Sequence, residues 1–304
     1  MNRQWWLALC GVGIVAGLFA EFAAAADPAV TAAVARHTEM LAKITSYHLK
    51  IESHHSREER PGEPLVHGSD YEVWSSGARH RSLNRVFLSL GQEGWIDHGP
   101  NGRVWESSVN GREARSLGGW DPERPFELPL DPEQNEEHAA VHGSIQSWDP
   151  KQLPSRKIVE ASAMHWQLRM DMPLARLAEL CEVAIVPQPD TSITRLKFVA
   201  SKAPETAAPE LRIVGSVLDL DHKHGWQVCR IETPYQETVV ITQVLEFREG
   251  APGLWYPVET RSTVGKDIVD VVKVLKCEFN QPIDDVLLET QFPAGARLND
   301  RRGD

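Results

Sequence analysis

The stretch DLDHKHGWQVCRIE, residues 219–232, reads as a strand, a tight turn and a returning strand. Asp221-His222-Lys223-His224-Gly225 supplies the turn, a polar run ending on a glycine, and such short connections join antiparallel neighbours. The same pattern repeats outward. Residues 183–186, 193–200, 211–221, 226–232, 239–248, 255–264 and 268–279 carry strand character, most of them rich in Val, Ile and aromatics. A second turn lies at Arg248-Glu249-Gly250-Ala251-Pro252-Gly253.

Toward the N-terminus the period changes. Val30, Ala33, Val34, His37, Leu41 and Ile44 fall at helical spacing, and Pro28 suits a first helical position, so residues 28–44 are predicted as an amphipathic helix. Alternation begins at residues 46–51 and marks a strand. Residues 71–74, 79–88, 94–97, 104–108 and 112–117 follow as a meander, with turns at Pro100-Asn101-Gly102 and Asn110-Gly111. Residues 118–155 are rich in Pro, Asp, Glu and Gly and read as a long surface excursion, with one short helix near 132–141. A domain linker is the alternative. A second helix is predicted at 173–182, with Leu174, Leu177, Ala178 and Cys181 on one face. The expectation is therefore a mainly β, α+β chain of roughly eleven or twelve antiparallel strands and two or three helices, in one domain over residues 27–300.

Residues 1–26 read as a secretory leader. Met1-Asn2-Arg3-Gln4 is a short basic start, WWLALCGVGIVAGLFA follows, and Ala23-Ala24-Ala25-Ala26 offers small residues for cleavage after Ala26. The apolar run is shorter than the ~20 residues of a membrane-spanning helix; an uncleaved anchor is the alternative. Leu9 before Cys10 does not suit lipidation. An exported chain works without ATP or reduced cofactors at hand, and no cofactor is expected. The net charge of −11 argues against nucleic acid and against an anionic membrane surface. Cys181, Cys229 and Cys277 remain beyond the leader, an odd number without a CxxC. Three buried thiols are one reading and a single Cys229–Cys277 bridge the other.

Catalytic signatures are scarce. The chain has no G-x-S-x-G elbow, no H-E-x-x-H and no glycine-rich phosphate loop. Asp219 with Asp221, and Asp284 with Asp285, are paired carboxylates that read as solvated charges. Asp221, His222 and His224 form a possible metal-binding set, because residues two apart on a strand point the same way; His54-His55 is a second histidine pair. Both are also what a wet turn or strand end carries. Trp74, Trp95, Trp105, Trp226 and Trp255 lie in or beside predicted strands, where large aromatics serve as core or line an apolar cavity.

Several short patterns together resemble a known group. A helix leads through Ile44-Thr45-Ser46-Tyr47 into a strand, the 219–232 hairpin follows a helical excursion, then comes Gly253-Leu254-Trp255-Tyr256-Pro257, and finally Phe292-Pro293-Ala294-Gly295-Ala296-Arg297-Leu298-Asn299-Asp300. This layout is similar to the LolA/LolB-like lipoprotein-carrier superfamily, with its LppX-like lipid carriers and RseB-like sensor domains. The resemblance implies an incomplete β-barrel: a strongly curved antiparallel sheet whose hydrophobic concave face is covered by helices. It also implies a lipid or lipoprotein acyl chain as ligand, or an exported protein as partner, and no catalytic residues. The residues agree in one respect. In 268–279, Val269, Val271, Leu275 and Phe279 read as one face and Ile268, Val272 and Val274 as the other, so the strand looks apolar on both sides. Candidate cavity contacts are Trp74, Trp95, Trp105, Leu174, Leu177, Trp226 and Trp255. The rival readings are a sensor or interaction module using 118–155, and a metal-dependent hydrolase at Asp221, His222 and His224.

Overall fold

Asp27 opens the first helix, α1 (Pro28–Ala42), by accepting a hydrogen bond from the Ala29 N–H at 2.8 Å, and Pro28 occupies the first turn where its missing N–H is harmless. In this computed structural model the described residues are 27–56, 64–91, 94–110, 113–120, 142–147, 174–202, 213–235, 237–292 and 296–302. The leader expectation and most of the 118–155 excursion lie outside them. Among the described residues no helix is long and apolar enough to cross a membrane.

The strands after α1 are β1 (Ser46–His55), β2 (Val66–Ser76), β3 (Arg79–Val86), β4 (Leu88–Gly91), β5 (Gly94–Asp97), β6 (Arg103–Asn110), β7 (Glu113–Trp120) and β8 (His142–Ser147). Then come helix α2 (Leu174–Leu180), β9 (Cys181–Val186), β10 (Ile193–Ser201), β11 (Val217–Asp221), β12 (Gln227–Tyr235), β13 (Thr238–Ala251), β14 (Leu254–Val264), β15 (Asp267–Phe279) and β16 (Arg297–Arg301). Fourteen strands form one sheet in the order β16-β8-β7-β6-β3-β2-β1-β15-β14-β13-β12-β11-β10-β9, with β4-β5 as a separate hairpin. All pairs in the large sheet are antiparallel except β16–β8. The sheet is curved and does not close into a barrel. The expected mainly β architecture is therefore present, with more strands than the turn signals suggested.

Three local expectations change. Part of the 118–155 excursion is β8, a sheet strand between β7 and β16. The predicted strand at 79–88 breaks into β3 and β4, with Leu88 joining the small hairpin. The two faces of β15 are also reassigned. The register slips beside Lys50/Ile51, where Leu275 is an extra residue in β15, so Phe279 and Cys277 share the face of Val274 and Val272. An extra residue reverses the alternation beyond it.

Two large apolar clusters lie on one face of the sheet, with a small third one of Val109 and Ala114 on the same side. Val30, Ala33 and Val34 of α1 pack with Leu174 and Leu177 of α2 over Leu196, Phe198, Leu218 and Ile231. Farther along α1, Met40 and Leu41 sit on Tyr47, Leu49, Val73, Val272, Val274 and Phe279. α1 thus runs across the sheet from the β10–β12 region to β1 and β15. The opposite face is covered elsewhere, by the segment 281–292. Arg79 donates to Asp285 at 2.5 Å, the Thr290 N–H donates to Ser108 Oγ at 2.9 Å, and Arg115 pairs with Glu289 at 2.6 Å. On the inner side of this strap its own Leu288 is 1% exposed.

Cys181, Cys229 and Cys277 are free thiols. The Cys229–Cys277 alternative fails because β13 and β14 stand between β12 and β15. At about 4.8 Å per strand the two cysteines are far beyond the roughly 4.4–6.8 Å Cα separation of a disulfide.

Candidate ligand cavity

A cavity of about 910 Å³ opens where α1 and α2 meet the β9 edge of the sheet. Its size falls within the roughly 300–1,000 Å³ of small-molecule sites. The helix spacing of α2 explains the space. Leu174 and Leu177 turn into the core, 2% and 3% exposed, whereas Ala175 and Ala178 present only methyl groups to the cavity. Val30 and Val34 of α1 face them, and Val183 and Ala200 supply the strand side. Charged groups stand around this apolar lining: Asp27, Glu179 and Glu182, with Lys202 as the lone cation among the described lining residues. Glu179 is paired with Arg176 at 2.5 Å. Cys181 belongs to the lining but is fully buried, and burial pushes its thiol pKa up, so it stays a small protonated apolar group.

The hairpin at 221–226 fixes α1 above the sheet. His222, Lys223 and His224 form one 3-10 turn, capped by the Asp221 side chain and closed by Gly225 in the left-handed region. Trp226 follows with φ 64°, a conformation that a bulky residue rarely adopts. Three contacts hold it there: its N–H donates to Asp221 O at 2.8 Å, its ring stacks on His222 at 3.9 Å, and its carbonyl accepts from His37 Nδ1 at 2.8 Å. His37 sits on α1 and is buried, which lowers its pKa and keeps it neutral as a donor. Gln227 Nε2 in turn donates to Trp255 O at 2.8 Å.

The sequence-derived contacts are dispersed. Leu174 and Leu177 support the cavity from the core side without lining it. Trp226 packs partly buried against the same cluster. Trp255 meets the His224 ring edge-on at 4.8 Å, outside the lining. Trp74 lies on the face opposite the helices, between His48 at 5.2 Å and the Arg81 guanidinium at 5.1 Å. Trp105 is on the helix side but in the other half of the sheet, 39% exposed over Gly118. The side chain of Trp95 lies outside the described residues. The residue pattern gave the apolar face of α1 and placed Ala178 with Leu174 and Leu177 on one face of α2, but it did not single out Ala175 or separate the alanines that line the cavity from the leucines that fill the core. The available signal was a pair of alanines three apart beside a leucine stripe.

Asp221, His222 and His224 do not gather as a ligand set. His224 Nδ1 bonds Asp221 Oδ2 at 2.7 Å while His222 Nε2 bonds Thr194 Oγ1 at 2.8 Å, and each ring is stacked on a different aromatic. Asp219 is no solvated charge: it is buried and takes two hydrogen bonds from Arg195, each at 2.6 Å.

The chain matches no protein-family model and no curated protein. Solved structures with similar layouts exist. One is a DUF1329 family protein from Desulfovibrio piger ATCC 29098, at 11% identity and TM-score 0.47, covering 86% of this chain and 98% of that one. Another is an outer membrane lipoprotein-sorting protein domain from Vibrio parahaemolyticus, at 8% identity and TM-score 0.42, covering 86% and 100%. A third is MucB, at 11% identity and TM-score 0.26, covering 87% of this chain and 64% of MucB. At these scores the likeness is one of general layout, and the fold rests on the strand order and register of the chain itself.

Proposed function

We propose that this chain is an exported, non-enzymatic binding or carrier protein that holds the acyl chain of a lipid or lipoprotein between α1, α2 and the β9 edge. The observation that carries the reading is the apolar cavity left by Ala175 and Ala178 opposite Val30 and Val34. Each buried CH₂ contributes about 0.8 kcal/mol. A twelve-carbon tail therefore gains on the order of 10 kcal/mol before the costs of ordering the chain and parting the helices. Charged groups at the rim keep a polar headgroup in water while the tail is buried.

Native mass spectrometry of gently purified protein, together with uptake of a fluorescent fatty acid, tests the reading. Wild-type protein is expected to carry or take up about one acyl ligand. Ala178→Trp, with Ala178→Phe as a milder partner, fills the cavity and lowers uptake at least ~10-fold, the equivalent of about 1.4 kcal/mol. Protein that is empty and takes up no probe, or an Ala178→Trp variant that binds like wild type, rejects it.

A further inference from the structure

Far from the cavity, on the face opposite the helices, four side chains of β1 and β2 form a square. Glu52 is directly opposite Asp70 and His54 directly opposite His67 in the strand register. Glu52 and His54 share a face because they are two apart. His67 and Asp70 are three apart, a spacing that would normally send them to opposite faces. The register slip between Ser53 and His54 leaves Gly68 as an extra residue in β2 and restores them to one side. Bulges of this kind re-aim side chains, often beside functional sites. His55, the neighbour that the sequence paired with His54, points the other way. It bonds Asp270 at 2.9 Å with its ring over Gly68, where a Cβ would lie 2.1 Å from it.

The donor atoms of Glu52, His67 and Asp70 all lie within 4.8 Å of one another. His54 Nε2 is 2.5 Å from Glu52 Oε1, and His67 Nε2 is 2.8 Å from Asp70 Oδ1. The imidazoles are stacked at 5.0 Å, and Phe87 backs His67 at 4.4 Å, so both rings are oriented. All four side chains are partly exposed, leaving a path for an ion. Two carboxylates facing each other across adjacent strands repel, and beyond the imidazoles the basic neighbours are Lys273, opposite Glu52 in β15, and Arg85, opposite Asp70 in β3.

We propose that Glu52, His67 and Asp70, with His54 as fourth ligand, bind one divalent transition-metal ion of the zinc type. Two imidazoles and two carboxylates are a suitable set for zinc, and two negative charges neutralise the ion. Metal–ligand bonds of about 2.0–2.1 Å place tetrahedral ligands roughly 3.3 Å apart, so Glu52, His67 and Asp70 close by side-chain rotations, and His54, outside that close set but bonded to Glu52, turns in to join them.

The test is calorimetric titration of chelator-stripped full-length protein with zinc chloride, alongside visible absorption of the cobalt(II) form. The expected result is one ion per chain, with cobalt bands of four-coordinate intensity. Affinity should fall at least ~100-fold in His67→Ala and ~10-fold in His54→Ala. The nearly isosteric Asp70→Asn, with circular dichroism checked against wild type, separates lost ligation from lost folding. His222→Ala/His224→Ala should bind like wild type. The proposal is overturned if the protein binds neither ion, if folded His54→Ala/His67→Ala binds as well as wild type, or if the turn variant loses the metal instead.

Discussion

The two halves of the sheet treat the same face in opposite ways. In the half that runs from β9 to β12, a cross-strand row on the helix side reads Ile185, Leu196, Leu218, Ile231, and α1 and α2 lie over it. In the half from β2 to β8, the corresponding side reads Val73, Ser82, Ser107, Ser116, Ser144, with hydroxyl pairs at 2.8 Å and 2.7 Å. There the opposite face carries the buried row Val104, Leu117 and Ile145, at most 8% exposed, on the side crossed by the 281–292 strap, and among the described residues apolar burial beyond Val73 on the helix side is confined to one end, at Val109 and Ala114. One continuous sheet thus has a helix-covered half and a strap-covered half, and cover moves from one side to the other as the row changes from aliphatic to hydroxyl. The cavity belongs to the first half because helices with small residues leave space, whereas the irregular strap lies close against its strands.

The contrast is sharpest in core truncations. Phe198→Ala, beneath the helices, is expected to lose about 3–5 kcal/mol of stability in urea unfolding. Leu288→Ala, in the strap itself, should lose about 2–5 kcal/mol. If Leu288→Ala changes stability by less than ~0.5 kcal/mol, the strap is not a covering element and the two-sided description fails.

Acidification separates the halves more gently. His37 links α1 to Trp226 and is held below its ordinary pKa by burial, so the unfolded chain binds the proton more readily than the folded one. Its contribution is complete above about pH 6.5 and is lost as the pH falls below that value. Wild-type protein should therefore lose thermal stability as the pH falls below about 6.5, and His37→Gln should show a flatter slope there. Carboxylates such as Glu72, whose pKa is lowered by the His48 hydrogen bond, titrate below this range. Equal slopes in the two proteins would remove His37 as the latch.

The smallest effect belongs to the hydroxyl rows. Ser107→Ala removes one partner of the Ser82 pair on a half-buried face and should cost about 0.5–1.5 kcal/mol, with no effect on acyl uptake. An uptake defect in this variant would move ligand binding to the polar half.

Much of this architecture was legible from residue patterns. α1, the 221–225 turn and the long C-terminal strands follow from helical spacing, turn chemistry and β-branched runs, each set by residues close in the chain. β15 shows where that reading stops: one additional residue, Leu275, exchanged the faces beyond it, and alternation alone does not reveal bulges. Gly68 did the same for His67 and Asp70. Strand membership likewise does not say which face is covered, and Trp74 faces away from the helices.

The chain's local order accounts for element type and for antiparallel neighbours, because φ/ψ preference, turn geometry and side-chain period act over a few residues. The placement of β1 against β15, the change of covered side between the halves, the cavity beneath α1 and α2, and the square of Glu52, His54, His67 and Asp70 arise from register between distant segments. Register is selected by burying whole faces at once, and that cooperative energy exists only when the assembled sheet brings those faces together.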